Sequence, residues 1–186
     1  MSWFTRNKQD AKSGPWLTAG EITIFAMLGT MMFVSKIVME WLPNIHLLGM
    51  LTMVYTLVYR KKALIPIYIF VLINAVYNGF SPWIAPYAYV WAVLWGVTML
   101  LPRNMKPVVA TVVYPLVCGM HGLLFGVLYA PAQALLFNLN FEQMIAWVVA
   151  GFPFDAIHAL SNVGAGLLIL PLTKVLRKLD KRSLRA

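Results

Sequence analysis

Hydrophobic and polar positions segregate along this chain into long apolar runs separated by short polar or basic connections. Runs approaching the ~20 residues needed to cross a bilayer recur along its whole length. In lipid every backbone N–H and C=O must be paired within the chain, so these runs are read as helices. The pattern predicts helices at 20–42, 45–59, 63–80, 82–101, 107–129 and 143–173. The second, "IHLLGMLTMVYTLVY", is short for a crossing and is expected to begin buried among its neighbours. The connection at 130–142 mixes Leu and Phe with Gln133, Asn138, Asn140 and Glu142. A plain linker is more polar, so this stretch is expected to fold back over the bundle as a lid.

Composition fixes the solvent. The 186 residues are 61% hydrophobic and 11% charged, far from the roughly 25% charged of a soluble domain. The expectation is an all-α integral membrane protein, a single domain over 1–186 with no soluble domain left over. A net charge of +9 could suggest nucleic acid, but its placement does not. All Lys and Arg except Lys36 fall in four clusters: Arg6, Lys8 and Lys12; Arg60, Lys61 and Lys62; Arg103 and Lys106; and Lys174 to Arg185. These alternate with connections near 42–45, 79–83 and 130–142 that hold no Lys or Arg, which is the positive-inside asymmetry. It predicts six transmembrane helices in the cell membrane, both termini cytoplasmic, and a basic cytoplasmic tail over 174–186. The N-terminal "MSWFTRNKQDAKSGPW" has no apolar core or cleavage site of a removable signal peptide, so the first span should itself be the membrane signal. Cys118 is alone, which rules out an internal disulfide, and reads as a small core residue.

Against this apolar background, "GFPFDAIHALSNVGAG" (151–166) places Asp155, His158 and Asn162 in one helix. At 100° per residue the three fall within about 60° of one another, on a stripe shared with Gly151, Ala159 and Gly166. Intramembrane ionisable groups face the bundle interior or a wet cavity, and small residues let helices approach closely. Two readings follow: an interhelical hydrogen-bonded seam, or one wall of a ligand cavity. Pro153 is expected to kink this span or end a short preceding helix.

More polar groups gather toward the outer half. Lys36 and Glu40 lie one turn apart on the first span, with Asn44 and His46 in the following turn. Asn74, Tyr77 and Asn78 end the third span, Trp83, Tyr87, Tyr89 and Trp91 open the fourth, and Asn138 and Trp147 flank the start of the last. The inner half is almost purely apolar. A pore needs a polar path through the full thickness, so the pattern points to an outward-facing, aromatic ligand pocket.

The first two spans, "FAMLGTMMFVSKIVMEWLPNIHLLGMLTMVYTLVYRKKALIPIY", and the last, "AGFPFDAIHALSNVGAGLLILPL", resemble the substrate-binding S components of energy-coupling factor (ECF) vitamin transporters. The resemblance covers most of the chain and is carried by pattern and short phrases. It implies a subunit that captures a vitamin-like heteroaromatic micronutrient from outside. The subunit would then dock on one transmembrane coupling protein and two ATPases, and topple to deliver its cargo. The family's AxxxA docking pattern corresponds to "AMLGT", with Ala26 and Thr30 at its two positions and Gly29 between. No GxxxxGK[ST] phosphate loop occurs, so the resemblance implies no cofactor in this chain, with ATP used by the partner ATPases.

Other classes fit less well. "FDAIH" and "HALSN" match patterns of CAAX-type membrane proteases, but the paired glutamate of that family is absent and both patterns share His158. The GxSG segment of rhomboid proteases is absent too, so no catalytic residues are assigned. A metal site from Asp155, His158, His46 or His121 lacks specific spacing. A stand-alone secondary transporter or channel would be favoured by a second, pseudo-symmetric broken helix, and a break is expected only in the last span.

Overall fold

The first helix, α1 (Ala19–Val38), begins at a capping box: Glu21 N–H donates to Thr18 Oγ1 at 3.2 Å, and Thr18 N–H donates to Glu21 Oε2 at 3.0 Å. The remaining helices are α2 (Leu48–Tyr59), α3 (Leu64–Tyr77), α4 (Tyr87–Leu100), α5 (Pro107–Leu123), α6 (Phe125–Phe137), α7 (Phe141–Gly166) and α8 (Ile169–Ser183). Single 3-10 turns at Arg60–Ala63 and Pro82–Ile84 precede α3 and α4. This computed structural model describes residues 16–103 and 105–183, among which there is no strand. The basic cluster Arg6, Lys8 and Lys12, the polar N-terminal stretch and Arg185 lie outside the described residues.

Among the described residues, four stretches are long and apolar enough to cross a membrane: Ala19–Val38, Pro82–Leu100, Pro107–Phe137 and Phe141–Gly166. Their outward faces carry exposed large apolar side chains, including Met27, Met31 and Val34 on α1 and Phe152, Phe154 and Leu160 on α7. The second element behaves differently. Every residue of α2 from Leu48 to Leu57 is buried, and α1, α4, α5, α7 and α8 pack around it. A helix apolar on all sides belongs in a core. At 1.5 Å per residue, its 12 residues rise only about 18 Å.

Three expected boundaries move. The fifth span, expected unbroken over 107–129, is interrupted at Leu124 between α5 and α6, so a break is not confined to the last span. The 130–142 stretch is not a lid: α6 runs through Pro131 to Phe137, and only residues 138–140 connect it to α7. Its mixed composition is that of a membrane helix with one polar position turned inward, since Gln133 is buried while Leu135, Leu136 and Phe137 are exposed. Asn138 ends the helix in the left-handed conformation at φ 52°, a common helix terminator. Asn140 then opens α7 with its own capping box. The break expected at Pro153 lies instead at Leu167–Leu168, between α7 and α8. Pro171 accounts for the position, because a proline ring clashes with the carbonyl four residues earlier, here that of Leu167, and supplies no N–H to it.

Basic side chains from distant clusters meet at one end of the bundle. Arg60 donates to Met99 O at 2.7 Å and Arg177 to Leu57 O at 2.9 Å. These carbonyls lie in the last turns of α4 and α2, where orphan acceptors and the helix dipole favour cations. Lys62 pairs with Glu21 at 2.6 Å, tying the start of α1 to the same end. Asp180 on α8 is close enough to sense that pair, and its carboxyl is held above the usual range by burial first and then by Glu21.

α1 packs on α3 through Gly29, where an added Cβ would lie 2.6 Å from Ile69 Cγ2 and 2.8 Å from the Pro66 carbonyl oxygen. Overpacking of this kind costs about 1–3 kcal/mol. Gly96 on α4 has nothing within 4 Å, and Gly to Ala in a helix is favourable by up to about 1 kcal/mol. In detergent-solubilised protein, Gly29→Ala should therefore melt below the parent and Gly96→Ala at or above it. The opposite order would show that α1 and α3 are not in contact through Gly29.

Candidate functional site

The inward face of α7 is polar and small: Asp155, His158, Asn162 and Gly166 are its buried residues, at spacings of three, four and four. Asp155 belongs to a seam. The Gly126 N–H donates to its two carboxylate oxygens at 3.2 and 3.1 Å. Gly126 is the second residue of α6, so its N–H is one of the donors a helix start leaves unpaired, and a carboxylate there also suits the helix dipole. Asn162 follows the same logic. Its Nδ2 donates to Cys118 O at 3.2 Å, and its amide fills the space beside Gly49 and Gly122.

His158 leaves the seam and enters an aromatic cluster. Its ring lies 4.5 Å from His46 and 4.8 Å from Phe125, centroid to centroid. Trp91 sits 6.1 Å from His46, 5.8 Å from His121, 6.0 Å from Phe125 and 5.6 Å from Tyr87. Phe125 stacks on Tyr129 at 5.2 Å, and Tyr129 is parallel to Trp147 at 6.5 Å. The turn after α1 and helices α4, α5, α6 and α7 all contribute. Several polar atoms here are buried without a hydrogen-bond partner: His46 Nδ1, Trp91 Nε1, His121 Nδ1 and His158 Nε2, with Gln133 Nε2 one turn along α6 from Tyr129. Most buried polar atoms in proteins are paired, and Thr52 Oγ1, Arg60 Nε and Nη1, Asn162 Oδ1 and Thr173 Oγ1 are the others without a partner among the described residues.

His46 also lines a cavity of about 150 Å³ together with Lys36, Glu40 and Asn44 among others. Lys36 and Glu40 pair across one turn at 3.5 Å, and Asn44 holds the turn in the left-handed conformation at φ 60°. This small vestibule opens beside the cluster. Asp155 is drawn to Gly126, and no group of three or more His, Cys, Asp or Glu among the described residues is placed to hold a metal ion.

Other positions singled out from sequence lie apart. Asn78 is exposed and closes the end of α3, donating to Asn74 O at 2.8 Å and to Asn74 Oδ1 at 3.2 Å, while Asn74 is buried on that helix. Trp83 is exposed against Phe137 at 5.7 Å, and its carbonyl accepts from the Tyr129 hydroxyl. Asn138 is the exposed cap of α6. Tyr87 and Trp147, both half-buried, edge the cluster. Of the three small residues on α1, Ala26 and Thr30 are exposed and line an open groove with Met31 and Val34. Gly29 is corrected: it is buried against α3, since three residues along a helix turn it about 60° off the Ala26 direction.

Sequence reading named Trp91 among the outer aromatic residues but passed over His121, Phe125, Tyr129 and Gln133 as pocket residues. A signal was present, because His121, Phe125, Tyr129 and Gln133 recur every four residues and so share one helix face. It was obscured by the expectation that the helix ended at 129 and a loop followed.

Removing the Asp155 carboxylate strands the Gly126 donor in a dry seam, at a cost of about 1–3 kcal/mol. Asp155→Ala should lower the melting temperature clearly, whereas Asp155→Asn, which keeps an acceptor, should recover most of the loss. An Asp155→Ala protein that melts like the parent but binds ligand poorly would move Asp155 from the seam into the cavity. Compared with known proteins, the chain matches no family model, no curated protein and no solved structure.

Proposed function

We propose that this chain is a membrane-embedded substrate-binding subunit, the S component of an ECF-type importer, which takes up a vitamin-like heteroaromatic micronutrient. One observation carries the reading: unpartnered polar atoms of His46, Trp91, His121 and His158 are gathered among aromatic rings, and His46 also lines a small cavity with Lys36, Glu40 and Asn44. An unsatisfied buried donor or acceptor costs about 1–3 kcal/mol. A chain that keeps several in one place is compensated when a ligand pairs with them, and mostly aromatic walls with a few convergent polar groups are the usual chemistry of such sites.

In this reading the chain crosses the plasma membrane six times with both termini in the cytoplasm. The alternation of basic and non-basic connections supports that orientation, as does the meeting of Arg60, Lys62 and Arg177 at one end of the bundle. The vestibule then faces outward. The exposed Ala26 and Thr30 face of α1 meets the transmembrane coupling protein, and two partner ATPases supply the energy. The chain itself performs no catalysis and carries no cofactor.

Native mass spectrometry of protein purified in mild detergent should reveal a small heteroaromatic compound held by the folded chain. A protein that is consistently empty and shows no saturable binding would overturn the reading. Ala26→Trp adds bulk to an exposed position and should abolish energised uptake in cells while leaving ligand affinity within about twofold, a change of only ~0.4 kcal/mol. Undiminished uptake by that variant would remove the α1 face as the docking surface.

A further inference from the structure

The last helix, α8, presents three different faces. At 100° per residue, Ile169 and Thr173 share an arc that is buried on the bundle, with the half-buried Leu176 and Asp180 beside them. Leu172, Val175 and Leu179 fall within about 60° of one another on a second arc, and all three are exposed. Lys174 and Lys178 lie about 40° apart on a third, and they too are exposed. Arg177 stands between the lysines and the packed face. It donates to Leu57 O at 2.9 Å, which sets this part of α8 level with the last turn of α2.

Charge at that end of the bundle is one-sided. Arg60, held at Met99 O, is close enough to Arg103 and Arg177 for their charges to oppose its own. Three sequence-distant clusters therefore converge, and like charges drawn together repel. Among the described residues the ion pairs are Lys36–Glu40 and Lys62–Glu21, so no carboxylate balances Arg103, Lys174, Arg177 or Lys178. The two carboxylates at this end serve the α1 side instead. Glu21 holds Lys62, and Asp180 lines a cleft of about 340 Å³ with Ile24, Met27 and Leu28 of α1.

Charge and apolar surface side by side select the partner. A cationic face turned only to water gains nothing from exposed Leu and Val next to it, and a face turned only to acyl chains excludes lysines. A helix carrying both matches a bilayer surface, with its apolar side chains at the acyl boundary and its Lys and Arg among the headgroups. Lysine stems suit that boundary, because their carbons cover apolar surface while the ammonium reaches the polar layer. Basic clusters at the end of a membrane bundle attract acidic lipids for the same reason.

We infer that this end of the bundle binds anionic phospholipid, with phosphate headgroups at Arg103, Lys174, Arg177 and Lys178 and acyl chains against Leu172, Val175 and Leu179. It requires a bilayer around the chain but no captured solute, so it stands or falls separately from the import function proposed above.

Native mass spectrometry of the purified full chain tests it. Detergent-solubilised protein is offered equal amounts of phosphatidylglycerol and phosphatidylcholine with the same acyl chains, and inorganic phosphate is compared with phosphatidylglycerol by the shift each gives in melting temperature. The expected result is preferential retention of phosphatidylglycerol that weakens as salt is raised from about 0.1 to about 0.5 M. Replacing both exposed lysines, Lys174→Gln with Lys178→Gln, should reduce that retention about fivefold for each charge removed, the equivalent of ~1 kcal/mol apiece. The melting temperature of the lipid-free double variant should match the parent, which separates lost binding from lost folding. Equal retention of the two lipids, or inorganic phosphate stabilising the chain as far as phosphatidylglycerol does, would overturn the inference. Unchanged retention in the double variant would overturn it too, and if that variant had also lost a dimer seen by light scattering in the parent, the face would belong to a second copy of the chain.

Discussion

The close approach of α7 to α5 and α6 sets the position of everything chemical in this protein. In lipid there is no hydrophobic driving force between helices, so packing and interhelical hydrogen bonds must hold them. Here a row of contacts runs antiparallel between α7 and the successive helices α5 and α6: Gly166 against Pro115, Val163 and Ala159 against Gly119, Asn162 against Gly122, and Asp155 against Gly126. A Cβ on any of those three α5 and α6 glycines would collide with α7, so the absence of a side chain is what allows the approach. The Asp155–Gly126 hydrogen bonds then fix the axial register, because they join a defined atom of one helix to the first turn of the other.

That register delivers His158 to Phe125 and His46, and it allows the α5–α6 pair to be interrupted at Leu124 without leaving the new helix start unpaired. The break separates His121 from Phe125 in the chain, yet both still face Trp91. Seam and aromatic cluster thus share a helix face. Asp155 and Asn162 hold helices together, and His158, lying between them in sequence, is the one whose ring faces the aromatic cluster.

The two ends of the bundle differ in chemistry. At one end, Arg60 and Arg177 donate to the Met99 carbonyl of α4 and the Leu57 carbonyl of α2, and Lys62 pairs with Glu21. At the other, the turn after α1 brings Lys36, Glu40, Asn44 and His46 around a small vestibule. Between them α2 is buried along almost its whole length, a greasy plug rather than a polar path. This division explains how polar groups can be tolerated near one end while the opposite half is sealed by Phe25, Met32, Met53, Tyr55 and their neighbours.

Much of this was legible in the sequence. Apolar run length pointed to helices long and apolar enough to cross a membrane, since lipid permits few alternatives for the backbone. The spacing of Asp155, His158 and Asn162 placed them on one inward face, because helical periodicity acts within a single element. Other features depend on which element lies opposite. Gly29 looked like part of an exposed stripe until α3 covered it, Gln133 looked like loop until α6 turned it inward, and the break expected at Pro153 fell upstream of Pro171. Nothing local to Asp155 and His158, three residues apart, separates a carboxylate that joins helices from an imidazole set among aromatic rings. Only the tertiary structure decides that, by setting the bare backbone N–H of Gly126 opposite one and a shell of aromatic rings opposite the other.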